Sequence, residues 1–135
     1  TGRLTAASIH CVMRRLHERD GKNLPQPEAA SGDHPFLHVL ELVNDSNWVH
    51  GEVVALAALI ITWHCGDDYQ GLQARLDRCQ VRHRPTQMGL SRGQLRKGLE
   101  AAPNYMERMG INSILRQEPV VGERFAALWG FLQKD

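Results

Sequence analysis

The stretch GEVVALAALIITWHC, residues 51–65, decides the fold. Residues 53–61 within it carry no polar side chain. A helix lying on a surface shows polar residues every third or fourth position. This run shows none, so it reads as a helix buried on all sides. It is too short to cross a bilayer, which takes about 20 apolar residues. The expectation is an all-α domain, a compact bundle of six or seven helices around this central one.

Working outward, the neighbours on both sides carry helical stripes. Upstream, Pro35 can occupy the first helical position, followed by Phe36, Leu37, Leu40 and Val43 on one face. Asp45, Ser46 and Asn47 make the turn into the central helix, and one of them is expected to cap it. Residues 5–19 place Ile9, Val12, Met13 and Leu16 at i, i+3, i+4 and i+7, with Arg14, Arg15, Glu18 and Arg19 around them. Residues 20–34 hold Pro, Gly and small polar residues that cannot propagate a helix, and read as a long loop.

Downstream, the central helix is expected to end near Gly66, with Asp67 and Asp68 opening the next one. Residues 69–81 carry Leu72, Leu76 and Cys79 on one face. Residues 82–89, RHRPTQMG, read as a loop broken by Pro85. Ser91 and Gln94 then form a capping box. Leu95, Leu99 and Ala102 follow at helical spacing, and Pro103 is expected to end, kink or restart that helix. Tyr105, Met106 and Met109 continue the apolar face. Residues 121–132 place Phe125, Leu128, Trp129 and Leu132 as a closing amphipathic helix, with a strand pair as the alternative.

The totals bound the class. A chain of 135 residues, 42% apolar and 23% charged, is expected to form one globular domain. The net charge of +1 excludes a polyanion binder that works through bulk charge. Three cysteines (Cys11, Cys65 and Cys79) without paired spacing argue against a disulfide framework and for a reducing, cytoplasmic setting. The first residues lack the apolar core of a signal peptide, and the start at Thr1 reads as processed or trimmed.

Charge is unevenly distributed. Residues 75–97 hold Arg75, Arg78, Arg82, Arg84, Arg92, Arg96 and Lys97, with Asp77 as the one acid, giving +6 against −5 for the rest of the chain. Clustered cations concentrate polyanions and release their counterions on binding. Six of the seven are Arg, whose fork matches phosphate and guanine edges. The bland alternative is a solvated face whose carboxylates come from elsewhere in the fold.

Within that segment MGLSRGQLRKGL, residues 88–99, resembles the turn and recognition helix of Fis-type helix-turn-helix proteins. Gly89 suits a left-handed turn, Leu90 packs beneath it, Ser91 caps, and Leu95 and Leu99 anchor. The resemblance implies DNA binding with Arg92, Gln94, Arg96 and Lys97 at the groove. The charge of the segment assigns Arg75, Arg78, Arg82 and Arg84 to phosphates, and a single half-site contact is weak enough to expect a dimer or a larger assembly. Pro85 stands where the family has a small residue, so the turn before Ser91 is expected to stretch to about seven residues. If the last segment were strands, residues 119–123 would be the wing of a winged helix.

The same chain offers residues for other chemistry. Residues 55–65 and 98–119 look distantly like the alkylhydroperoxidase-like half of sestrins, which implies a peroxidatic Cys65 beside His64. The second Cys and the proton-relay His of that pattern are missing. Cys79 and His83 stand at i, i+4, and a zinc site there would need His10, Cys11 or His50 as further ligands. A module with no chemistry could use Trp48, Trp63, Trp129, Met106 or Met109 at a partner surface, Trp48 being the most exposed of them. No phosphate loop, nucleophile elbow or H-E-x-x-H motif occurs. The sequence therefore points to a nucleic-acid-binding helical protein, with DNA favoured over RNA, needing no cofactor or metal and no membrane, and acting as a homodimer or in a larger assembly. The alternative is a non-enzymatic helical interaction module or assembly subunit.

Overall fold

The computed structural model describes residues 32–134. Six α-helices and one 3-10 turn make up the secondary structure of these residues, with no strand among them. The helices are α1 (Asp33–Asn44), α2 (His50–Cys65), α3 (Tyr69–Arg78), α4 (Arg92–Arg108), α5 (Ile114–Gln117) and α6 (Gly122–Leu132); the 3-10 turn is Pro85–Met88. The stripe at residues 5–19, Cys11 and most of the expected loop at 20–34 lie outside the described residues.

The apolar run forms α2 as its pattern requires. Val53, Leu56, Ala57, Leu59 and Ile60 are fully buried. The expectation of burial on all sides needs correction. Val54, Ala55, Ala58 and Ile61, on the other flank, stay partly exposed. Helices α1, α3 and α5 pack along α2, and α6 meets it at the Trp63 end. The helix stops at Gly66, where φ is +75 and the Asp67 N–H reaches back to the Thr62 carbonyl at 3.0 Å.

The most extensive helix contact joins α1 to α4. Leu37, Leu40 and Phe36 from α1 meet Leu95, Leu99, Ala102 and Met106 from α4 in the core. Gly98 permits this approach: a Cβ there would stand 2.6 Å from Leu40 Cδ1 and 3.4 Å from the Leu40 Cα. Helix α4 runs unbroken through Pro103, where an end, kink or restart was expected. Pro103 removes one backbone donor. Leu99, Ala102 and Met106 are buried on both sides of it, and that packing carries the helix through.

Four local expectations are also corrected. Val49, not Asp45, Ser46 or Asn47, is the N-cap of α2, with no side-chain cap. Asp45 instead ends α1 in the left-handed region, at φ +46. Trp48 is half-buried against the core, and its N–H donates to Glu41 Oε1 at 3.4 Å. Helix α3 ends at Arg78 because Gln80 turns left-handed, at φ +57, so Cys79 is exposed and not on an apolar stripe. The Asp68 carboxylate caps α3 by accepting from the Gly71 N–H at 2.9 Å.

Helix α6 is the closing helix, and the strand pair and its wing are set aside for these residues. It buries Phe125, Leu128 and Leu132. Its outer residues join α2 and α3 through rings. Phe131 stacks on Trp63 at 6.0 Å and meets Tyr69 edge-on at 5.1 Å. Arg124 lies 3.9 Å over the other ring contact of this ladder, the Trp63 indole.

Candidate nucleic-acid interface

The basic segment spans α3, the 3-10 turn and the first turns of α4. The turn is tighter than the sequence suggests. Pro85 is buried and starts the 3-10 turn, so only Gly89, Leu90 and Ser91 separate it from α4. The seven-residue stretch is therefore replaced by a short helical turn and a three-residue link. Gly89 takes φ +68, and Leu90 is 2% exposed beneath it. The capping box is present in full: the Gln94 N–H donates to Ser91 Oγ at 3.2 Å, and the Ser91 N–H donates to Gln94 Oε1 at 2.9 Å.

These contacts sort the eight expected site residues. Gln94 is half-buried and its amide oxygen is held by the box, so it faces its own backbone. Arg82 donates to Glu52 Oε1 at 2.6 Å, a carboxylate from α2. Arg84 donates to Asp77 Oδ1 at 3.1 Å, and only 16% of its side chain is exposed. Arg82 is thus paired by a carboxylate from elsewhere in the fold, as the bland alternative has it, whereas Arg84 pairs with the segment's own acid. Arg96 stands 3.7 Å from Glu100 with both side chains well exposed, a contact worth little in water. The Arg92 guanidinium lies 5.7 Å over the Phe125 ring with the residue exposed. Arg75, Arg78 and Lys97 are exposed, and no carboxylate pairs with them among the described residues.

Arg92, Arg96 and Lys97 are all exposed on α4; Arg96 follows Arg92 by one turn, while Arg92 lies on the same stripe as the buried Leu95 and Leu99, at i+3 and i+7. No acid occupies the first turn of α4. The positive end of a helix dipole disfavours cations there by about 0.3–1 kcal/mol each. Arg92 at the first position therefore stands against local stability.

His83, counted in the sequence with the cations, is buried to 1% exposure. Its Nδ1 donates to the Val81 carbonyl at 2.9 Å, while Nε2 sits 3.6 Å from Asp77 Oδ1 without a hydrogen bond. Nothing in the sequence marks it as a core residue; the bend after α3 turns it inward. Cys79 and His83 do not share a helix face, because α3 ends before both. Among the described residues no three His, Cys, Asp or Glu side chains gather as metal ligands.

Compared with family models, curated proteins and solved structures, the chain finds no match.

Cys65 ends α2 and is exposed. Partial burial, then Asp67, then Glu118 push its thiol above the ordinary 9.0. An activated thiol needs the opposite surroundings. His64 beside it is fully engaged: Nδ1 accepts from Arg124 Nε at 3.2 Å, and Nε2 donates to the Glu118 carbonyl at 2.7 Å. Of the residues considered for a partner surface, Met106 is buried and Trp63 and Trp129 pack on the core, whereas Met109 is 61% exposed. No helix among the described residues is long and apolar enough to cross a membrane.

Proposed function

We propose that the protein binds nucleic acid, DNA in the first place, through the outer face of α4. The observation that carries this reading is the placement of Arg92, Arg96 and Lys97 on the solvent side of a capped helix whose first turn holds no acid. Behind a short turn and a left-handed glycine, such a helix presents its opening residues to a groove. Arg75 and Arg78 add phosphate contacts. Arg82, Arg84 and Gln94 leave the set of phosphate and groove contacts, since each is bound internally. A single contact helix yields weak binding, so function as a dimer or within a larger assembly belongs to the proposal.

The test is fluorescence anisotropy with a labelled duplex across a salt series. Replacing Arg92, Arg96 and Lys97 together by Ala is expected to weaken binding strongly without lowering the melting temperature. The salt slope should fall by about 0.9 per phosphate contact removed. No binding by the parent protein at low salt would refute the proposal.

A further inference from the structure

A groove of about 390 Å³ opens beside the 3-10 turn. That volume lies in the range of small-molecule sites, about 300–1,000 Å³. Its walls come from two short connections: Asn47, Trp48 and Val49 ahead of α2, and Gln87 and Met88 in the turn. The apolar surfaces are the half-buried Trp48 and Met88 and the 59% exposed Val49. The polar part is the Glu52–Arg82 pair, with the Glu52 side chain 14% exposed.

This lining fits a flat ring with a hydrogen-bonding edge. An indole is a stacking platform for any nucleobase. The Glu52 carboxylate can accept from a base amino group, and Arg82 and the Asn47 amide offer donors to ring nitrogens and carbonyls. An aliphatic side chain would cover the same indole but desolvate the ion pair without returning a hydrogen bond.

The groove also adjoins α4. Met88 is four residues from Arg92. Asn44 Nδ2 donates to the Gln94 carbonyl at 3.1 Å, tying the other wall's chain to the first turn of α4. Resting on the reading of α4 above, we propose that this groove receives one unpaired base of the bound nucleic acid, stacked on Trp48, with its edge at Glu52 and Arg82.

The experiment compares a fully paired duplex with the same duplex carrying one unpaired base, by anisotropy. The parent protein should bind the bulged duplex about 5- to 100-fold more tightly, the range that one stacked base supplies. Trp48→Ala should remove this difference and leave the paired duplex unchanged, whereas Trp48→Phe should keep most of it. Tryptophan emission should be quenched by the bulged duplex alone, and Trp48→Phe should lose that quenching; this arm stands even if the alanine variant fails to fold. Equal affinity for the two duplexes, or quenching that survives in Trp48→Phe, overturns the base site and leaves the α4 reading intact. Failure of the parent protein to bind either duplex overturns both.

Discussion

At the residue scale, Ser91 and Gln94 determine where α4 begins, because each side chain satisfies a backbone donor the helix leaves open. Ser91→Ala is expected to cost about 1 kcal/mol, read as a lowered denaturant midpoint with an unchanged slope. Cys65 provides a second single-residue expectation. Its thiol is raised above 9.0, so the thiolate is scarce at neutral pH and grows only as pH climbs past that value. Alkylation of Cys65 by iodoacetamide, followed by mass spectrometry in a Cys79→Ser background, should be slow at pH 7 and accelerate beyond pH 9. A fast reaction at pH 7 would revive the peroxidatic alternative.

At the element scale, the α1–α4 contact depends on the absence of a side chain at one position. Gly98 costs helix stability by its backbone freedom, roughly 1 kcal/mol against Ala. Yet Ala there would press on Leu40, which is fully buried and has little room to turn. Overpacking of this kind costs about 1–3 kcal/mol. The clash therefore wins narrowly: Gly98→Ala should lower stability by about 1 kcal/mol, and Gly98→Val by more, both measured by urea unfolding. A stabilising Gly98→Ala would show that α1 and α4 stand further apart. The last helix is held differently. Arg124 joins α6 to α2 through the Trp63 face and two hydrogen bonds to His64, at 3.2 and 3.4 Å.

At the scale of the whole molecule, one core collects buried residues from α1, α2, α4, α5 and α6. Leu56 lies at no exposure on the inner face of α2. Leu56→Ala should cost about 2–5 kcal/mol, a large share of the stability of a domain this size. Loss of α4 helicity and of the Trp48 environment should coincide in one unfolding transition, seen by circular dichroism and by fluorescence. Separate transitions would mean that the basic helix is an independent unit. The surface has its own organisation. Of the seven segment cations, Arg82, Arg84 and Arg96 stand beside carboxylates, and the other four are exposed with no carboxylate paired to them among the described residues.

Local chemistry was legible in the chain itself. The apolar run marked α2, the glycine at 66 its end, the capping box the start of α4, and the periodic Phe125, Leu128 and Leu132 the closing helix. Each of these is set by neighbours within a few residues, where side-chain periodicity and backbone hydrogen bonding act. The residue types at 89–91 pointed to a left-handed Gly89, a buried Leu90 and a capping Ser91, and the structure has all three. What sequence could not decide depends on residues brought together from far along the chain. Glu52 lies 30 positions from the Arg82 it neutralises, and its carboxylate removes one expected phosphate contact. His83 is buried by a bend that no local pattern announces. Pro103 stays helical because its flanking residues are held in the core, outweighing its own preference. Only tertiary structure decided which charges are paired and which stay exposed, because pairing and burial are properties of distance in space.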